Sequence, residues 1–479
     1  MNRYLTYQEG ELLFEDVALS EISEEMYTPF YVYSKAAINE KVEALKVAFA
    51  DVKPMMAYAM KALDTTIILK YLRDRGCALA IENLHELERA MASGFEPTEL
   101  ILNSNGLPDQ QLKEIVKNRP LIINVGNLFE LETLNAYAAE MDMGLRIGLR
   151  INPGIDVGGH EGTNVGASGS KIGLSREELD AAIAMMPDLP QLNLVGIACA
   201  LGCQVTTLAP WIKLAEDMAA IYSDLVAKGF SLEYLDIGGG FPVDYGTGEY
   251  LEIKKIARNI TPKISELDCR LIVEPGRYFT AESGILVTSV LGIRKRENKN
   301  YIICDAGFSE FPRSAMYRIT HEALPLRAVP SVPVVVESTP EPAAVARATS
   351  DSIDTPEELI AALTSSDEEP TEEEQPEVQE ETVPVTESPL SQEITADIVG
   401  NISEGLDYLS KDVTMTEPKR GDLIAILNVG AYGRTMSSNF ASCPRPPEVM
   451  IERDKFEIIR SRETIDDLIA LEMEEIEAE

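Results

Sequence analysis

The stretch MMAYAMKALDTTIILKYLRDRGCALAIENLHELERAMASGFEPTELILNSNG, residues 55–106, decides the fold class. It holds three short apolar runs, MMAYAM, CALAI and LILNS, with longer amphipathic stretches between them. A short apolar run without alternation suits a strand covered on both faces, and a longer stretch with one polar side suits a helix laid against it. The unit reads as strand, helix, strand, helix, strand, with neighbouring strands parallel.

Working outward, the same alternation begins at PFYVYS (29–34), followed by KAAINEKVEALKVAFA. It continues through LIINVGN (121–127), LRIGLRINPG (145–154), LVGIACALG (194–202), YLDIGGG (234–240) and RLIVEPG (270–276). About eight such units in roughly 260 residues fit an α/β fold of the closed (β/α)8, TIM-like kind. An open doubly wound sheet would call for GxGxxG in its first strand-to-helix turn, and the chain has none there. Residues 28–284 are therefore read as the barrel, and 1–27 as an N-terminal segment joining a β domain. Past residue 284 the strand-like runs GILVTSVLGIRKRE, NYIICDAG, DLIAILNVGAYG and PPEVMIERDKFEIIR alternate with turns, with little helix between them. Residues 285–326 and 396–479 are read as a β-rich C-terminal domain that closes on an acidic helix, DDLIALEMEEIEAE. Between the two parts, 327–395 is an acidic low-complexity insert centred on SSDEEPTEEEQPEVQEE (365–381). Low hydrophobicity with high charge cannot offset the entropy of ordering, so the insert is expected to be disordered, apart from a transient helix at TPEELIAALTSS capped by Thr355.

The 479 residues are enough for several layers of core, and 45% hydrophobic content is that of a globular chain. No run of about eighteen apolar residues marks a membrane span. The start, MNRYLTYQEGELLFEDVAL, lacks the pattern of a signal peptide, so a cytoplasmic location is expected. A net charge of −38 argues against nucleic acid as a partner. The six cysteines show neither CxxC pairs nor metal-ligand spacing, so no metal is expected and they read as free thiols.

Chemistry in a barrel gathers where strands end. Lys61 stands at the end of one apolar run; it is either a snorkelling surface lysine or, with a pKa depressed by its apolar wall, an amine nucleophile toward an aldehyde. LDIGGGFP (235–242) places three glycines after a strand, where backbone N–H groups can approach a phosphate. IVEPGRY (272–278) places Glu274 and Arg277 at one strand end, as a salt bridge or as two binding groups. A carboxylate beside a pyridine nitrogen keeps it protonated, and a guanidinium grips carboxylate or phosphate. In NVGAYGRTMSSNF (428–440), Tyr432 sits between glycines. An amine, a phosphate cradle and a pyridinium partner together point to pyridoxal 5'-phosphate.

With these motifs the chain resembles the fold-type III pyridoxal-phosphate decarboxylases, in particular the diaminopimelate decarboxylase family. The resemblance is carried by TPFYVY, YAMKA, RINPG, SKIG, LDIGGGFP, EPGRYFTAESG, CDAG, RSAMYRITH, GDLIAILNVGAYG, MSSNF and RPPEVMI, in the family's order over nearly the whole chain except the insert. It implies a barrel-plus-β-domain protomer and a head-to-tail homodimer with shared active sites. Residue by residue, it implies that Lys61 is the Schiff-base lysine and Glu274 the pyridinium partner. Gly240, Gly276 and Tyr432 would hold the phosphate, with Cys203 standing where a phosphate-binding serine is usual. Arg277, Arg313 and Tyr317 would bind the substrate's carboxylates. Glu404, in GNISEGLDYL, would meet the distal amino group across the dimer.

The chain also departs from the family's pattern. Ala200 occupies the place of a cofactor-stacking histidine, and Ser403 that of a reactive cysteine. AIENLHELERA (80–90) lacks the usual Asp and Ser-Gly-Gly, carrying Ala80, Asn83, Leu84 and His85. A serine hydroxyl is a far weaker acid than a thiol, so Ser403 as the catalytic proton donor would be slow. The expected activity is decarboxylation of meso-2,6-diaminopimelate to L-lysine and CO₂. Its rivals are a catalytically impaired regulatory homologue and a decarboxylase of another amino acid such as ornithine or arginine.

Overall fold

The computed structural model describes residues 3–248, 250–328 and 392–477. Eight parallel strands close into a barrel: Met55–Ala59, Ala78–Ile81, Leu100–Ser104, Ile122–Val125, Leu145–Ile151, Leu192–Cys199, Tyr234–Asp236 and Arg270–Val273. The seam joins last to first, with Ile272 opposite Met55 and Val273 opposite Met56. Helices between consecutive strands form the outer layer, and their buried residues, such as Leu69 and Leu72, or Trp211, Leu214 and Met218, bury against the barrel. The barrel and the β-rich domain expected from the sequence are both present.

The strand Phe30–Ser34 is not a barrel strand, although its apolar run and following helix read like one. All five of its residues are buried in the second sheet, where it lies antiparallel to Gly284–Lys295 and parallel to Glu448–Glu452. The helix that follows, Lys35–Ala48, starts at Ser34, whose Oγ accepts from Ala37 N at 2.9 Å. The chain thus passes from sheet domain to barrel through one capped helix start. The sheet runs Tyr408–Thr416, Glu393–Val399, Asn300–Cys304, Gly284–Lys295, Phe30–Ser34, Glu448–Glu452, Lys455–Arg460, and Leu423–Ile426 joins it beside Gly284–Lys295. The N-terminal segment forms three short strands and the helix Leu19–Glu25, and packs Leu12, Phe14, Leu19 and Ile22 onto Phe30, Ile285 and Val449 of this sheet. The terminal acidic helix spans Ile465–Glu477.

Most of the acidic insert, including the helix expected at 355–366, lies outside the described residues. Its flanks are described: Arg327 pairs with Glu11 at 2.7 Å, and Glu393 already opens a strand of the sheet. No described helix is long and apolar enough to cross a membrane. All six cysteines are free, with Cys77, Cys199 and Cys304 buried. Among the described residues no group of His, Cys, Asp or Glu could hold a metal ion.

Candidate active site

Side chains two apart on a strand face the same way, so each barrel strand lines the interior with every second residue. At one end the lining is apolar and small: Ala57, Ala78, Ile101, Ile122, Val195 and Ile272 form a cluster of their own. Two residues on from three of these stand Asn103, Asn124 and Glu274, with Asp236 on a neighbouring strand. All four are buried and hydrogen-bonded: Asn103 Nδ2 donates to Glu274 Oε1 at 2.6 Å, Asn124 Nδ2 donates to Asn103 Oδ1 at 3.0 Å, and Gly238 N donates to Asp236 Oδ1 at 2.8 Å. Burial, and then Glu274 nearby, push Asp236 well above the usual carboxylate range. The polar end of the interior is also the C-terminal end of the strands.

Lys61 lies there, in the turn Met60–Ala62. Its side chain keeps 46% of its area accessible, and Nζ forms an ion pair with Glu82. The depressed pKa expected of this lysine is not what the structure gives. Desolvation pulls the ammonium down, but Glu82 outweighs it and Lys61 stands above its ordinary value. An apolar preceding strand says nothing about the next strand's end, which is where the carboxylate comes from.

The turns around Lys61 are stitched together by backbone bonds. Ala59 N donates to Pro275 O at 3.1 Å, Glu274 N to Gly238 O at 2.9 Å, Val205 N to Gly240 O at 3.0 Å, and Tyr432 N to Ala62 O at 2.8 Å. This brings the lysine turn, the triple-glycine turn, the EPG turn and the sheet domain's Tyr432 to one mouth. Gly240 has φ +102°, and a Cβ there would meet Gly202 O at 2.8 Å, so no other residue fits. A Cβ already exists at Ala59 and Ala62, each within about 3.2 Å of where Gly276 would carry one. Ala200 lies against Gly238, its Cβ 3.5 Å from the position of a Cβ there.

Glu274 and Arg277 make no ion pair with each other among the described residues. Arg277 and Arg313 are instead both buried, each with a guanidinium nitrogen that finds no partner, Nε of Arg277 and Nη2 of Arg313. Both guanidinium groups lie over the rings of Tyr245, at 5.7 and 5.4 Å, and Tyr432, at 5.9 Å each. The Tyr245 hydroxyl is likewise buried and unpartnered. Burial lowers the pKa of Arg313, and Arg277 beside it adds to the effect. Tyr432 is pushed up to about 12, first by burial and then by the Cys203 thiol, against the pull of Lys61 and the arginines. Cys203 is half-buried, with its N–H on Thr163 O at 3.0 Å. Two buried cations with unused donors and no carboxylate partner make a site for an anion.

The remaining expected residues lie at varied distances from this mouth. Tyr317, at the end of the helix Arg313–Tyr317, packs edge-on against His160 at 5.3 Å. Ser403 and Glu404 lie in the loop between Glu393–Val399 and Tyr408–Thr416, where Glu404 Oε1 accepts from Leu406 N at 3.1 Å. Among the described residues, neither bonds to Lys61, Glu274, Arg277 or Arg313. Three participants were missed by the sequence reading: Glu82, Tyr245 and His321. Glu82 carries a partial signal, since it stands just past the strand that follows Lys61's own and the two strands are neighbours, with Ala59 opposite Ala80. Tyr245 carries none, and His321 only its nearness to Arg313 in sequence, because Tyr245 and Leu427, which the ring also meets, are far from it in the chain.

Residues 35–281, just over half of the chain, match the family model for the pyridoxal binding domain of pyridoxal-dependent decarboxylases, and 361–430 match that for their C-terminal sheet domain. The chain is 30% identical over 471 residues to a diaminopimelate decarboxylase of Vibrio cholerae, covering 98% of both chains. It is 29% identical over 469 residues to that of Aquifex aeolicus, covering 98% of this chain and 97% of the other. A crystal structure of diaminopimelate decarboxylase from Helicobacter pylori complexed with L-lysine superposes with a TM-score of 0.79 at 28% identity, over 95% of this chain and 99% of that one.

Proposed function

We propose, from the premise that this chain belongs to the family of pyridoxal-dependent decarboxylases, that it converts meso-2,6-diaminopimelate to L-lysine and CO₂ with pyridoxal 5'-phosphate. The observation that carries the substrate reading is the pair of buried guanidinium groups, Arg277 and Arg313, with unused donors beside Lys61's turn. The residues fit the cofactor on the chain's own evidence: a lysine at the mouth, a cradle at Gly240 that a Cβ would fill, and Glu274 held by Asn103. When bound, the cofactor supplies the electron sink that takes up the electrons left as CO₂ departs.

The chain's own residues then divide the work. Lys61 offers its amine to the cofactor aldehyde. Glu274, an acceptor fixed on one oxygen by Asn103, would take the ring nitrogen and favour its protonated form. Gly240, Gly276, Tyr432 and Cys203 would hold the phosphate. Arg277, Arg313 and Tyr317 orient the substrate's carboxylates, and the burial of the two arginines excludes the water that would weaken that grip. Ser403 and Glu404 belong to a loop that makes no bond to Lys61 within one chain. Their roles as proton donor and as receiver of the distal amino group therefore call for a homodimer in which each copy completes the other's site. A cytoplasmic setting suits six free cysteines.

The test is release of CO₂ from meso-diaminopimelate, lysine, ornithine and arginine, side by side, with wild type and Lys61→Ala. Release from diaminopimelate alone, lost in Lys61→Ala, is the expected result. Release from none of the four after loading with pyridoxal 5'-phosphate would favour the regulatory homologue.

A further inference from the structure

Neighbouring barrel strands set Ala57 opposite Ala78, Tyr58 opposite Leu79 and Ala59 opposite Ala80. Two residues beyond the last pair come Lys61, in the turn Met60–Ala62, and Glu82, just past the end of its strand. Their ion pair therefore joins the ends of two adjacent strands at the barrel mouth. Glu82 is held in its turn: its backbone N–H donates to Glu86 Oε2 at 2.7 Å, and Glu86 belongs to the helix Leu84–Ala92, capped by Asn83. Small side chains at Ala59 and Ala80 leave the space in which the two long ones meet.

Resting on the cofactor reading above, we infer that Glu82 is the positioning residue of Lys61, holding its ammonium at the mouth and accepting the proton it must lose to become a nucleophile. The balance is simple. Nζ gives one proton to Glu82 Oε1, and the lone pair so freed bonds to the aldehyde carbon. The two protons left on nitrogen leave with the aldehyde oxygen as water. When a substrate amine later releases the lysine, the carboxyl returns its proton, so the released Lys61 becomes an ammonium again and an acid at the mouth. That supplies a proton where Ser403, a weak acid, would be slow. Glu86, whose carboxyl burial and the nearby Glu82 push up to about 7, is a second place on the same helix start where a proton can rest. None of the residues implied by the family resemblance is assigned this role.

The experiment reads the charge state of Lys61 directly. Full-length protein, freed of cofactor with hydroxylamine, is trace-labelled with acetic anhydride between pH 6 and 11, and the Lys61 peptide is followed by mass spectrometry. Glu82→Gln should move the inflection of Lys61 labelling down by about 1–2 pH units, while Glu88→Gln, on an exposed face of the same helix, leaves it in place. Should Glu82→Gln not fold, Glu82→Asp, which withdraws the carboxylate by one methylene, should lower the inflection by a smaller step. The same proteins are then reloaded with pyridoxal 5'-phosphate, and the loading rate should follow the same shift in pH. An unmoved labelling inflection in the Glu82 variants overturns the inference. Failure of wild type to load at Lys61 overturns the cofactor reading instead, because the labelling arm needs no cofactor.

Discussion

Replacing His321 by glutamine is expected to flatten the acid limb of this chain's stability curve. His321 is fully buried, its Nδ1 lies 2.8 Å from Leu427 O, and its Nε2 lies 3.4 Å from Arg313 Nη1. A carbonyl can only accept, so the ring proton sits on Nδ1 and donates to Leu427, leaving Nε2 to accept from the guanidinium. Protonating Nε2 would turn that acceptor into a donor facing a cation. Burial, then Arg313, accordingly press the imidazole down from 6.5 to about 3. In the unfolded chain it regains its ordinary value, so below pH 6.5 the unfolded state binds a proton that the folded state refuses. The effect is nil above that pH and grows as pH falls toward the folded pKa. One pH unit corresponds to about 1.4 kcal/mol, so acidifying to pH 5 should cost the fold about 2 kcal/mol through this ring. Glutamine can present an amide N–H to Leu427 and an oxygen to Arg313 without titrating. Urea unfolding of both proteins at one fixed protein concentration, from pH 7.5 to 5, gives the difference in stability, in which titrations common to both cancel. The gap should close by about 2 kcal/mol toward the acid end. A gap constant to within about 0.5 kcal/mol would refute the assigned tautomer and its consequence.

Arg277→Met removes a buried cation with an unused donor, so the urea midpoint should hold or rise while kcat/KM for diaminopimelate falls by about 30-fold to several thousand-fold; a lower midpoint with activity intact would make the residue structural. Gly240→Ala, forced into φ +102° against Gly202 O, should lose about 1–3 kcal/mol and release pyridoxal 5'-phosphate on dialysis; full retention of its absorbance counts against a phosphate cradle there. Ser403→Cys should raise turnover by roughly 10–100-fold if that side chain donates the proton; an unchanged rate assigns the proton to another group, with Lys61 the first to examine.

The barrel was legible because parallel strands covered on both faces write themselves as short apolar runs, and eight of them are in place. The strand Phe30–Ser34 shows where that signal stops. Its five residues are all buried and a helix follows, yet its partners are Gly284–Lys295 and Glu448–Glu452. A run of buried residues records that both faces are covered and not by which sheet. Lys61 shows the same limit for charge: the local sequence reports an apolar wall, and the register across to Ala80 reports Glu82. His321 depends on Arg313 and Leu427, 8 and 106 residues away along the chain, and only the assembled sheet domain brings the farther one near.

The charges at the mouth separate into matched and unmatched sets, and the unmatched set speaks to the choice of substrate. Lys61 is matched by Glu82, and Arg434 by Asp64 at 2.7 Å. Asp236 meets its own desolvation by rising well above the usual carboxylate range. Arg277 and Arg313 each keep an unused donor and, unlike Arg434, have no carboxylate within ion-pairing distance among the described residues. Leaving a buried cation unpaired costs several kcal/mol, and nothing in the chain offsets it, so the offset has to arrive with the ligand. Ornithine, lysine and arginine each bring one carboxylate, the one that departs as CO₂. Diaminopimelate brings a second that stays, so it keeps a carboxylate for these guanidinium groups both before and after the bond breaks.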